Sequence, residues 1–249
     1  MAEHLVYTES VGGSNPSPPT SVGRWASLLR RTIVVAAALF AVSAPPTKAS
    51  AADMSFRLAT LSGGLCGSRC PQAIVATGVI EESTPDAFVA FAKSASLDGR
   101  LRGMILLNSP GGRVVAAMRL GQIFRQLHVS IAVAGYEEVG QRAGPTTGHC
   151  MSACVYLMMG GVKRVVPPDS QVGIHRMSAT GYGDAQAHTS ASPSIAYADE
   201  NMVNSLARYA AQMGVSPTLI RTAETIAPED IRILTAAEMR NWRLSTAHF

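Results

Sequence analysis

The chain has 249 residues, 47% of them hydrophobic and 15% charged, a balance that excludes a disordered chain and calls for well-buried strands and helices. Its formal net charge of +4 is small and scattered, partly near the amino terminus, so no nucleic-acid surface is expected.

Residues 1–23, rich in Ser, Pro and Gly, show no periodicity that could build structure. They read as an extension ahead of a true start near Val22, or as an unusually long n-region. Residues 24–51 follow the layout of a signal peptide: a basic stretch from Arg24 to Arg31, an uncharged apolar run over 32–42, and the small-x-small site Ala49-Ser50-Ala51. The apolar run is shorter than the ~20 residues that span a bilayer. The expectation is export to a periplasmic or extracellular location, with cleavage near Ala51. That leaves residues 52–249, enough for one domain with a substantial core.

Residues 55–61 and 73–80 read as strands, broken by Gly63-Gly64 and Pro71. A helix is expected over 84–96, capped by Thr84 ahead of Pro85, with Phe88, Phe91 and Ala92 on its apolar face. Residues 103–108 form a buried strand running into the turn Ser109-Pro110-Gly111-Gly112 and an amphipathic helix over 113–127. A strand over 129–134 and a loop over 135–148 come next, then an apolar helical segment over 150–159 and short strands over 164–167 and 171–175. The composition over 177–194 is that of a loop. Residues 195–213 read as a helix with Val203, Leu206 and Ala210 on one face. A short helix, a turn at Pro228 and a last helix opening on the capping box Thr235/Glu238 complete the chain. Strand and helix alternate, which argues an α/β fold with parallel pairing.

The cysteines fall in two pairs, Cys66 with Cys70 and Cys150 with Cys154, and an oxidising compartment makes disulfides the expectation. The spacing is neither a C-x-x-C redox motif nor a zinc site, so neither a metal nor a cofactor is expected. Connectivity stays open. A Cys66–Cys70 bond would close a small loop, a Cys150–Cys154 bond would strain a regular helix, and a bond between the pairs would tie the amino-terminal segment to the Ser152 turn.

Three patches carry chemistry. Ser152 follows a loop and opens an apolar helix, where unpaired N–H groups and the helix dipole suit a nucleophile; a plain capping serine would sit there too. Gly111 and Gly112 follow a buried strand and permit close backbone approach, as would any strand-to-helix turn. His175 ends an apolar strand, as a base or as a packing residue. His149 and His188 read as solvated loop residues, and Met151, Met158, Met159 and Met177 as core or pocket lining rather than ligands.

Taken in order, Asn108-Ser109-Pro110-Gly111-Gly112 with its following helix, Gly148-His149-Cys150-Met151-Ser152-Ala153, and the segment from Lys163 to His175 resemble the Clp protease catalytic subunit family within the crotonase-like fold. The resemblance extends from about Ile74 to Leu244. It implies a crotonase/Clp-protease-like α/β domain of repeated ββα units that hydrolyses peptides. By position it implies Ser152 as nucleophile, His175 as base, and the N–H groups of Gly112 and Ala153 as oxyanion hole. The orienting acid matches best at Asp230, one residue out of register, with Glu229 and Glu224 as rivals. Lys163 is the residue to test for a lysine-base variant. The resemblance further implies a homo-oligomer acting on peptides or unfolded segments, and export would separate it from any ATP-driven unfoldase. A non-catalytic binding or assembly protein on the same scaffold, and an esterase or thioesterase, are the alternatives.

Overall fold

The chain runs through β1 (Ser55–Thr60), β2 (Gln72–Thr77), α1 (Thr84–Ser94), β3 (Leu101–Asn108), α2 (Val114–Gln126), β4 (Ser130–Val139), β5 (Arg142–Thr147), β6 (His149–Met151) and α3 (Cys154–Met159). It continues through β7 (Lys163–Val165), β8 (Gln171–Ile174), β9 (Ser178–Gly181), β10 (Ser194–Tyr197), α4 (Glu200–Gln212), α5 (Thr218–Ala223), β11 (Arg232–Ile233) and α6 (Ala236–Asn241). This computed structural model describes residues 52–61, 71–95, 101–139, 142–181 and 194–246, all within the unit Ala49–Phe249. The extension 1–23, the leader 24–51, Cys66, Cys70 and His188 lie outside the described residues.

The larger sheet has the order β1-β2-β3-β4-β5, with β7 beside β4. Pairing is parallel for β2–β3, β3–β4 and β4–β7, and antiparallel for β1–β2 and β4–β5. Each parallel neighbour is reached through a helical crossover, as a parallel pair requires. The fold is therefore α/β, the class expected from the alternation.

Strand periodicity divides the central residues between two faces. Ile74, Ile105, Leu107, Ile131 and Val133 join the main core with the helices, whereas Ala73, Val75, Leu106, Ala132 and Ala134 form a second buried cluster. Both faces of the parallel strands are thus buried, which is why they read as continuous apolar runs. Helix α2 turns Ala116, Ala117, Leu120 and Phe124 inward, and Phe88 of α1 meets Phe124 edge-on with centroids 4.9 Å apart. Each such ring removes apolar surface from water, stabilising the core by about 2–3 kcal/mol.

A second, three-stranded sheet has the order β11-β8-β6. It meets the first where Ser109, just past β3, bridges Cys150 of β6. Ser109 N–H donates to the His149 carbonyl at 2.8 Å and Met151 N–H donates to the Ser109 carbonyl at 3.0 Å.

Several sequence expectations are corrected. The segment 135–148 is not a loop: β4 runs on to Val139 and pairs with β5, supported by Tyr136, whose hydroxyl donates to the Thr60 carbonyl at 2.9 Å while Arg57 lies 4.7 Å over its ring. Those partners are distant in sequence, so local pattern could not show them. Residues 150–159 are not one helix, because β6 and a turn come first and α3 starts only at Cys154. Ile195 belongs to β10 rather than to a helix, and α4 begins at Glu200 behind Asp199, whose carboxylate accepts from Met202 N–H at 2.7 Å. At α1 the cap is Ser83, and the Thr84 hydroxyl instead accepts from Glu81 N–H at 2.8 Å. The Thr235/Glu238 capping box stands as expected.

The carboxy-terminal segment is fastened by a buried cation. Arg164 is 3% exposed and its guanidinium donates to the carbonyls of Leu244 at 2.8 Å, Arg243 at 2.7 Å and Gly161 at 2.6 Å. Burial, with Arg125 nearby, lowers its pKa to about 10, so it stays charged at neutral pH. Removing it strands several buried carbonyls, so Arg164→Met should destabilise the fold by about 3 kcal/mol. Arg164→Lys should recover only part of that, since one ammonium cannot reproduce the planar fork. Urea unfolding midpoints of the two variants check both expectations.

Candidate active site

Parallel strands direct their carboxyl ends to one side, and that side carries the candidate residues. Met151 of β6 is in register with Gly173 of β8, so Ser152 and His175 follow adjacent strand ends. Ser152 N–H donates to the Gly173 carbonyl at 2.9 Å, which pins the serine backbone to the strand leading to the histidine. The chain then turns sharply. Ser152 has φ +56°, a left-handed conformation that costs a residue with a β-carbon on the order of 1–2 kcal/mol. The turn leaves the Ser152 side chain half-buried between strand and helix, whereas continuing the strand would extend β6 past it. Among the described residues Ser152 Oγ has no hydrogen-bond partner, His175 included.

The glycine turn lies against this serine. Gly111 has φ +108°, and a β-carbon there would come within 2.7 Å of the Met151 carbonyl oxygen and 2.9 Å of Ser152 Cβ. Gly112, at φ +136°, leaves no room for a β-carbon against the Ile80 backbone. Ile80 N–H donates to the Gly111 carbonyl at 2.8 Å and Arg113 N–H to the Ile80 carbonyl at 2.7 Å. Strand alternation consequently turns the Gly112 N–H away from Ile80. Ala153, the cap residue of α3, keeps its N–H outside the helical ladder. Among the described residues neither the Gly112 nor the Ala153 N–H is hydrogen-bonded, so two backbone donors stand beside the turn of Ser152.

The turn is closed by a disulfide between Cys150 and Cys154, both fully buried. The bond that would strain a regular helix forms here because Cys150 lies in a strand and the bond crosses the turn. Cys66 and Cys70 lie outside the described residues.

His175 stands just past β8, half-buried, with Nδ1 buried and without a hydrogen bond. Burial pushes its pKa below the usual imidazole value, and the negative charge of Glu224 and the Pro228 carbonyl dipole only partly offset that. The imidazole is therefore neutral at pH 7, the form that can accept a proton.

Asp230, the acid implied by the family resemblance, is exposed in the turn before β11, and so is Glu229. The carboxylate whose charge reaches His175 is that of Glu224, the cap residue of α5, with a side chain only 12% exposed. Glu224 accepts from Met177 N–H at 3.2 Å and pairs with Arg176 at 3.5 Å, which fastens the chain directly after the histidine. Arg176 also stacks on Tyr197, 4.7 Å from the ring centroid. The resemblance implies Asp230, with Glu224 as a rival; the burial that singles out Glu224 depends on how α5 packs, which local pattern does not reveal.

A groove of about 690 Å³ is lined by Gly112, by the apolar Val114, Val115, Met177, Tyr197 and Met202, and by the acidic Glu81, Glu82 and Asp199. Ser152 and His175 are not among its walls. Lys163 is exposed at the start of β7, paired with Ser130 at the amino end of β4, so it lies at the opposite end of the parallel strands from Ser152. His149 is exposed and its N–H donates to Asn108 Oδ1 at 3.0 Å, while Met158 and Met159 are core. No group of three or more His, Cys, Asp or Glu suited to a metal ion occurs among the described residues.

No family model matches the chain, and no curated protein matches it. Among solved structures, it is similar to a serine-to-alanine mutant of the 1510-N membrane-bound stomatin-specific protease, at 22% identity over 67% of this chain and 73% of that one, with a TM-score of 0.45. It is also similar to a lysine-to-alanine mutant of that protease in complex with a substrate peptide, at 21% identity, 70% and 71% coverage, and a TM-score of 0.46.

The electrostatics give a signed expectation. In an NMR titration His175 should protonate at a pH below the usual value of about 6.5. Glu224→Gln should lower that midpoint further, because it removes a negative charge that favours the imidazolium. Asp230→Asn should leave it in place.

Proposed function

We propose that this protein is a serine hydrolase, most specifically a peptidase that cleaves peptides or unfolded segments without ATP. The observation that carries the reading is the meeting of three backbone features. Ser152 is held at positive φ on a strand end, its N–H is fastened two residues before His175, and the side-chain-free Gly111–Gly112 turn lies against it.

In this reading His175 takes the Ser152 hydroxyl proton as Oγ attacks the substrate carbonyl carbon. The oxyanion that forms accepts hydrogen bonds from the N–H groups of Gly112 and Ala153, each contributing about 3–4 kcal/mol by analogy with measured donors. The imidazolium then gives its proton to the leaving amine, and water, deprotonated by the same imidazole, releases the acyl group. Glu224 supplies the negative charge behind the imidazolium, in place of Asp230. The groove beyond Gly112 offers an apolar wall for an extended substrate. A buried disulfide beside the nucleophile supports export to an oxidising compartment. Self-association rests on the sequence resemblance.

A second reading, a binding scaffold without catalysis, is favoured by one observation: His175 Nδ1 is buried with no carboxylate hydrogen-bonded to it. An imidazole without that partner lacks the contact that fixes its tautomer.

Fluorophosphonate labelling of the oxidised protein separates the two. Labelling at Ser152 should vanish in Ser152→Ala and fall about a thousandfold or more in His175→Ala. It should fall on the order of tenfold in Glu224→Gln and change little in Asp230→Asn. The wild-type rate should be full at neutral pH and decline only as pH falls through the depressed midpoint of His175. Folded wild-type protein that does not label at any pH would establish the scaffold reading instead.

A further inference from the structure

We propose that the Cys150–Cys154 disulfide is a positioning device for Ser152, holding the strand–turn–helix path in which the serine is presented. The bond encloses only Met151, Ser152 and Ala153, and its two Cα atoms lie 5.2 Å apart. That enclosure excludes the two relaxed alternatives for the segment. Were β6 to continue through Cys154, four strand steps would separate the cysteines by about 13 Å. Were α3 to begin at Cys150, β-carbons four residues apart on a helix would stand about 5–6 Å from each other, beyond the roughly 3.5–4.5 Å that a disulfide accepts. A turn between strand and helix satisfies the bond, and that turn carries Ser152 at φ +56°.

Backbone contacts restrain the strand side of the turn more than its helix side. On its strand side Cys150 bridges Ser109 and faces Val172 of β8, and Ser152 N–H is bonded to Gly173. On its helix side α3 has six residues and its cap residue, Ala153, offers no side-chain hydrogen bond. The first backbone bonds beyond the turn run from Val155 N–H to the Ser152 carbonyl at 3.0 Å and from Tyr156 N–H to the Ala153 carbonyl at 3.1 Å. A short, uncapped helix cannot by itself hold a residue in an unfavourable conformation. The cross-link supplies that restraint and fixes the Ala153 N–H relative to the Gly112 N–H. Both sulfurs are shielded in the core, so reductants do not reach the bond while the protein stays folded. Cys150 and Cys154 are positioning residues, and they touch no substrate.

The effect on reactivity rests on the hydrolase reading; the effect on the backbone does not. The test compares the oxidised protein with Cys150→Ala/Cys154→Ala, and with wild type unfolded in urea, reduced by a water-soluble phosphine and refolded with the reductant present. In that reduction the phosphine is oxidised to its oxide by an oxygen from water, and the same water supplies the two hydrogens of the thiols that replace the bond. Hydrogen exchange read by mass spectrometry should accelerate at least tenfold at the amides of residues 151–156, with helix α2 unchanged. The maximal rate of fluorophosphonate inactivation should fall at least tenfold while the reagent's apparent binding constant and the pH midpoint stay put. If the double variant does not fold, the reduced wild type still decides. Unchanged exchange at 151–156 in folded protein, or acceleration spread evenly over the chain, overturns the proposal. Faster local exchange in a protein that never labels at Ser152 would sink the hydrolase reading and leave the positioning role standing.

Discussion

The site depends on one steric constraint, the absence of a side chain where the turn after β3 presses against the turn after β6. At Gly111 a β-carbon would collide with the Met151 carbonyl and with Ser152 itself, and at Gly112 with the backbone of Ile80. Glycine permits three strand ends, from β2, β3 and β6, to converge by backbone contact alone. That convergence leaves unpaired N–H groups near the serine, which a looser arrangement would surrender to water or to neighbouring carbonyls. Ser109 anchors the same junction, fully buried, with its hydroxyl accepting from Gly111 N–H at 3.1 Å.

Charge is arranged around that frame with economy. The imidazole of His175 is kept neutral by burial, and the nearby carboxylate of Glu224 is already occupied by Met177 N–H and Arg176. Glu224 therefore acts on the histidine through its field and through the backbone it fastens. The same ion pair reaches outward, because Arg176 stacks on Tyr197, a wall of the groove that Gly112 also lines. Arg176 thereby touches both the carboxylate near the histidine and a residue that lines the groove.

The glycine turn, the serine ahead of an apolar helix and the histidine at a strand end could be picked out of the sequence because each is a local pattern of residue types. The capping box of α6 was equally legible, since Thr235 and Glu238 are three residues apart and satisfy each other. The β4–β5 hairpin was not, because what holds it beyond the core is Tyr136 reaching Thr60 and Arg57 of a distant strand. The apolar stretch containing Cys150 and Leu157 reads as one helix, since the three residues of β6 are too few to show a strand period and α3 is buried on every side.

By itself the amino-acid sequence determined the α/β class, the strands and helices from β1 to α2 in their order, and the residues that stand at the strand ends, because hydrophobic period, glycine and capping chemistry act over a few residues. Only the tertiary structure decided that Cys150 bonds Cys154 across a turn and that Glu224, rather than Asp230, places its charge near His175. It also decided that Lys163 lies away from the serine. The Glu224 and Lys163 outcomes are matters of burial and distance between segments far apart in the chain, and the disulfide depends on residues 150–154 forming a strand end and a turn rather than a helix, which the pairing of β6 with β8 decides.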